Sequence, residues 1–324
     1  MKTDRIIALS VIALCFISVL SSLFFQKQSH PVKTKSKGIN LMTWYDSGFG
    51  IKEGDIAVIE INGMITYGSS GGFASGGADA NLINDTLEQV KKDKLKGILL
   101  RINSPGGTAS ASQAIYEKIM SIKKSDNIKV YSIMQDVAAS GAYYIASASD
   151  VIYANPSTLT GSIGVIMELP DYTELGNKIG FHTNVIKSGK FKDIGNGSRK
   201  ITSDEKDLLQ KLIDDTYGEF AKAVARGRNL PLDYVKSKAD GRIYTGNQAL
   251  QIKLIDKLGQ ESDAIAALGK ELRISGEPKL KSYSKPSWER VFENLGAKSS
   301  ILGVVLQPQE FSLKFGKIPL MLYR

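Results

Sequence analysis

The residues best suited to chemistry lie in the stretch DVAASGAYYIAS, residues 136–147, where Ser140 has the side chain of a carbonyl-attacking nucleophile. A strand-like run at 130–136 ends four residues before it, and the small and aromatic residues behind it read as a short buried helix. At such a corner backbone N–H groups point outward and the helix dipole favours negative charge. Gly141 lets another group approach the hydroxyl closely. A serine in this position is equally the residue type that simply caps a helix. A second corner, NSPGG at 103–107, follows an apolar run and precedes a helical pattern reaching Ile122. The amides of Gly107 and Gly141 together could receive a developing oxyanion, although Pro-Gly-Gly turns also occur with no such role.

A nucleophilic serine needs a base. Of two histidines, His30 borders an apolar N-terminal run, which leaves His182 in GFHTNV for a Ser-His-Asp arrangement. The other candidates are Lys187, Lys190 and Lys192 in KSGKFKDIGNGS. Only a neutral amine accepts a proton, and an ordinary lysine pKa of about 10.4 leaves almost none at neutral pH. Burial or neighbouring positive charge lowers that value, which is how lysines become bases. A lysine run in a loop is also what a solvated surface looks like, so the residues alone leave both bases open.

The composition narrows the classes. The chain has 324 residues, and its one cysteine, Cys15, lies in the apolar run, so no internal disulfide, thiolate or zinc site is expected. With two histidines few metal sites are possible, and no cofactor is expected. The net charge of +9 is spread as Lys beside Glu and Asp without Arg-aromatic clusters, which favours an anionic lipid surface over nucleic acid as partner. Residues 6–25 carry no charge. At about 1.5 Å each they are long enough to span a bilayer. No Ala-x-Ala sequence ends the run, so it reads as an uncleaved anchor. Positive charge on its C-terminal flank argues mildly against export of the main domain.

The elements that must position these groups follow in order. Residues 26–54 are a polar linker, and 55–66 alternate as a strand. Residues 67–79 form a loop with five glycines, and 80–94 an amphipathic helix. A β-α rhythm then implies an α/β fold with a mostly parallel sheet. Short strands are expected at 151–153, 163–167 and 183–186. Thr202 to Glu205 is a capping box opening a long helix, with Leu208, Leu212, Phe220 and Val224 on one face. Residues 276–324 read as a basic, irregular tail.

NSPGG at 103–107, AASGAYYIA at 138–146, TGSIGVI at 160–166 and KSGKFKDIG at 187–195 resemble, in order and spacing, the motifs of the signal peptide peptidase A family of Ser-Lys membrane proteases. The resemblance covers about residues 55–270. It implies a Clp/crotonase-like fold of repeated β-α units, with an anchor at 1–25 and a protease domain at 55–275. It implies Ser140 as nucleophile, Lys192 as general base, Ser162 as the serine orienting that lysine, and Gly107 as an oxyanion donor. It implies an extracytoplasmic catalytic domain, against the charge bias of the flanks, and hydrophobic peptide substrates such as cleaved signal peptides. It also implies a homo-oligomeric ring, in whose short, single-domain type neighbouring subunits supply the serine and the lysine of one site. Two other readings share parts of the pattern. A Clp-type Ser-His-Asp protease would carry a histidine about twenty-five residues after the serine, and residues 166–169 contain none. A crotonase-like acyl-CoA enzyme would use the glycine amides for an enolate and needs neither nucleophile nor anchor. A membrane scaffold with a decayed site is a third, and both dyad positions are filled.

Overall fold

The computed structural model describes residues 54–68, 77–283 and 320–322. The expected anchor, Cys15, His30, nearly all of the linker and most of the glycine-rich loop lie outside these residues. Among the described residues no helix is long and apolar enough to cross a membrane.

Twelve strands are described, with eight helices between them. They are β1 (Ile56–Asn62), β2 (Ile65–Thr66), β3 (Ala78–Asp79), β4 (Gly97–Ser104), β5 (Gly106–Thr108) and β6 (Lys129–Ala139), then β7 (Val151–Ala154), β8 (Leu159–Gly161), β9 (Ile243–Thr245), β10 (Lys257–Leu258), β11 (Leu280–Ser282) and β12 (Leu320–Leu322). The helices are α1 (Ala80–Lys92), α2 (Ala109–Asp126), α3 (Gly141–Ala146), α4 (Thr173–Ile179), α5 (Ser203–Arg228), α6 (Leu232–Lys238), α7 (Gly246–Gln251) and α8 (Glu261–Glu271).

The main sheet runs β10-β7-β6-β4-β1-β11, all neighbours parallel, with β8 parallel to the far end of β6 and β9 antiparallel to β8. The expected α/β fold with a mostly parallel sheet is present. The apolar runs of β4 and β6 are nearly continuous because both faces are covered. Ile98, Leu100 and Ile102 face one core, with Ile115, Ile119 and Tyr144. Leu99 faces the other, with Tyr131, Tyr153 and Leu268 of α8. A second, four-stranded sheet runs β12-β5-β2-β3.

β6 does two jobs along its eleven residues. Tyr131 to Met134 pair with β7, and Val137 to Ala139 pair with β8. Its last residue therefore lies at a strand end gripped by a neighbour, with Ser140 next in the chain.

Three expectations are corrected. No strand forms at 163–167 beyond an isolated bridge at Ile166. Positive φ at Gly161 and Ser162 turns the chain out of register, and the Ser162 and Gly241 N–H groups donate to Arg242 and Ile163 carbonyls instead. Residues 183–186 form no strand either; Ile186 is fully exposed. The tail expected to be irregular contributes two strands. β11 extends the main sheet beside β1, and β12 pairs antiparallel with β5.

Candidate active site

Ser140 is the residue at the N-cap of α3, with φ 54° and ψ −122°. A non-glycine residue there is strained, by about 1–3 kcal/mol. A strained strand-to-helix turn is also how hydrolases present a nucleophilic serine. The strain is held by the surroundings: the Ser140 N–H donates to the Gly161 carbonyl at 2.8 Å, and its carbonyl accepts from the Tyr144 N–H at 2.9 Å. The capping alternative fails on the side chain, which makes no cap hydrogen bond. Ser140 is fully buried and its Oγ has no hydrogen-bond partner at all. A buried hydroxyl left unpaired costs about 1–3 kcal/mol, so this one calls for a reason beyond packing.

The two glycines stand beside it. A Cβ on Gly141 would come within 3.1 Å of the Gly107 nitrogen and 2.3 Å of Ser112 Oγ. A Cβ on Gly107 would sit 1.9 Å from the Ile65 carbonyl oxygen. Gly107 therefore needs glycine on steric grounds, Gly141 leaves a side chain little room, and the close approach brings the NSPGG corner to the serine corner as expected. Gly141 opens α3, where first-turn amides have no partner inside the helix. β5 also receives an extended segment along its edge, with Met321 opposite Gly107 and Leu322 opposite Gly106.

Tyr144 fixes α3 from behind. Its ring packs edge-on to Tyr116 at 5.1 Å and stacks on Phe220 of α5 at 4.7 Å. Gly227, near the end of α5, packs where a Cβ would lie 1.9 Å from the Ser147 carbonyl oxygen. Burial raises the Tyr143 hydroxyl pKa, and Tyr143 donates to the Leu254 carbonyl at 2.7 Å.

Lys192 lies in another environment. It is exposed, in a run of turns closed by Lys192 N–H to Gly189 and Asn196 N–H to Asp193 carbonyls. The neighbouring Asp193 is the centre of an ion cluster. Arg199 grips it with Nε at 2.9 Å and NH2 at 2.8 Å, Lys187 adds its amine, and Arg199 reaches on to Glu205. The Asp193 and Glu205 side chains are 9% and 3% exposed. Arg199, then Lys187, holds the Asp193 carboxyl far below its usual range. Arg199 and the Thr202 amide hold Glu205 at about 2. Glu205 belongs to the capping box of α5, as expected from the sequence.

The anchors of the two groups are thus on one helix. The ion cluster meets α5 at Glu205 and the serine helix meets it at Phe220, which is fifteen residues or about 22 Å of helix apart. The single chain brings Ser140, Gly107, Gly141 and the Gly161–Ser162 turn together; no hydrogen bond joins Lys192 to Ser140 Oγ. His182 does no better: it is exposed, lining a cleft on the lysine arm with Tyr172, Asn177 and Asn184. The sequence pointed to Glu205 as a cap but not to its cluster partners Arg199 and Asp193. Their signal was the alternating charge of Lys187, Asp193, Arg199 and Glu205.

A sequence profile of peptidase family S49 matches residues 122–275, and one of Clp protease matches residues 76–158. A putative protease of Synechocystis sp. is 40% identical over 282 residues, 83% of this chain and 96% of the relative. The chain belongs to peptidase family S49, the signal peptide peptidase A family. It is a serine protease. This S49 protease is also 38% identical over 228 residues to a putative signal peptide peptidase SppA of Enterococcus faecium, covering 70% of the chain and 66% of that relative. A chloroplastic serine protease SPPA of Arabidopsis thaliana is 34% identical over 256 residues, with 77% of the chain and 37% of the plant protein covered.

Proposed function

We propose that this S49 protease cleaves hydrophobic peptides, such as cleaved signal peptides, through a Ser140–Lys192 dyad. The observation that carries the reading is the strained, buried Ser140, whose Oγ has no partner beside two glycine amides. Neutral Lys192 takes the Ser140 proton as Oγ attacks the peptide carbonyl. The oxyanion lies against the Gly107 and Gly141 amides, and the Lys192 ammonium then protonates the leaving amine. Water, deprotonated by the same lysine, attacks the acyl-enzyme and releases the acid. Ser162 orients the lysine; its place after Gly161, whose carbonyl binds the Ser140 N–H, supports that role. The strand seated on β5 supports an extended peptide as the substrate shape.

Lys192 comes from a second copy in a homo-oligomeric ring. The 22 Å between the anchors and the unpaired Ser140 Oγ support this, as do exposed apolar residues on the arm, Leu175, Ile179, Phe181 and Ile186. The protein is held at the cell membrane by residues 6–25, with the catalytic domain extracytoplasmic. The test uses the full chain. Ser140→Ala and Lys192→Ala each lose several powers of ten in rate, whereas His182→Ala keeps most of it. Mixing the two inactive variants under subunit exchange restores part of the activity. Demonstrated mixed rings with no recovery would place both groups in one chain, and a Ser140→Ala variant within tenfold of wild type would end the assignment.

A further inference from the structure

We propose that Arg199 is a positioning residue for the base: it fixes the loop carrying Lys192 to the N-terminus of α5, and so sets where the amine stands in the neighbouring site. This rests on the Ser-Lys reading above.

The loop has no regular structure to hold it. Residues 189–199 are a succession of single turns, and residues 181–190 are exposed without exception. An exposed ion pair joins Lys190 to Asp204 of α5, where solvent leaves it weak, and the nearly buried tie is made by Arg199. Arg199 forks onto both Asp193 carboxylate oxygens, contacts the Asp193 carbonyl at 3.4 Å, and spends its remaining donors on Glu205 and the Lys200 carbonyl. A bidentate guanidinium–carboxylate pair fixes direction as well as distance, because both groups are planar. Asp193 adjoins Lys192, so the backbone that launches the lysine is the backbone the fork grips. Glu205 is buried and sits in the first turn of a helix whose other end is embedded in the core through Phe220 and Val224. The path from the core to the amine is thus α5, Glu205, Arg199, Asp193, Lys192. Remove Arg199, and Glu205 and Asp193 are left as two nearly buried carboxylates with Lys187 as the one remaining cation on Asp193. Base catalysis depends on placement within a fraction of an ångström, so the loss falls on the proton transfers and not on peptide binding at β5.

The experiment measures peptide hydrolysis by the full chain, with kcat normalised to the Ser140 that a fluorophosphonate probe titrates. Arg199→Met lowers kcat about a hundredfold with KM within about threefold, and Arg199→Lys, which keeps charge but not the fork, falls between. If Arg199→Met fails to fold, Asp193→Asn takes its place with about a tenfold loss. In mixtures of Ser140→Ala with Lys192→Ala, Arg199→Met lowers recovery far more on the Ser140→Ala chain, which supplies the lysine, than on the chain supplying the serine. Equal loss in both placements, or normalised kcat within threefold of wild type while Lys192→Ala is inactive, overturns the proposal. An active Lys192→Ala would instead overturn the Ser-Lys reading itself.

Discussion

The serine corner and the lysine arm are held by opposite means. Around Ser140 the backbone is locked between β6, β8 and α3, the flanking Ala138, Ala139 and Ala142 are fully buried, and two aromatic contacts back the helix. Around Lys192 there are turns, solvent, the Asp193–Arg199–Glu205 cluster and an exposed Lys190–Asp204 pair. The first arrangement can hold a costly φ because the core over-determines it. The second can be moved or completed by another surface. Ser140 belongs to the fold, and Lys192 to its periphery.

Four measurements press on that contrast. Phe220→Ala removes the ring under Tyr144 and should cost about 3–5 kcal/mol of stability. Leu212→Ala, half-exposed on the same helix, should stay within about 0.5 kcal/mol. Equal shifts in denaturant unfolding would erase the distinction between the two halves of α5. Next comes Gly107→Ala. The new methyl must clear the Ile65 carbonyl, which pushes β5 from β2 and displaces the amide proposed above as an oxyanion donor. A rate loss of about a hundredfold or more is expected in a folded protein, and an unchanged rate would remove Gly107 from the site.

Truncation after Tyr283 frees the edge of β5 that β12 occupies. Peptide hydrolysis should then rise severalfold through a lower KM, and an unchanged KM would mean that peptides bind elsewhere. The smallest effect concerns acid. Asp193 and Glu205 have folded pKa values below the ordinary carboxylate range, so the stabilisation they give is complete above about pH 4. It is lost as the pH falls toward the folded value, about 2 for Glu205. Hydrogen exchange at residues 187–199 should therefore quicken between about pH 4 and pH 2, relative to the intrinsic rate, before β6 loses protection. Simultaneous loss would show that the arm is no weaker than the core.

What could be read in the sequence follows the same division. The corner at Ser140, NSPGG and the capping box at Thr202 are local devices, each written in a few adjacent residues, and all three are where the sequence placed them. The strand expected at 183–186 had the right residue types but no neighbour to pair with. β12 had no legible signal, because its partner lies far back along the chain at Gly106–Thr108. The apolar face expected on α5 is buried only in its C-terminal half. Phe220 and Val224 are buried, whereas Leu208 and Leu212 are exposed. A helix sequence reports that it has an apolar face, not which part of that face its own chain covers.

The strand on β5 bears on colloidal behaviour. An uncovered sheet edge is a template on which other chains assemble, and most proteins blunt such edges with charge, proline or bulk. At Gly107 none of these is open, because any side chain meets the Ile65 carbonyl. If extended peptide binds along this edge, as proposed above, the edge is thus obliged to remain adhesive. Leu320–Leu322 gives it a sheath from within the molecule, one that a growing aggregate must compete with.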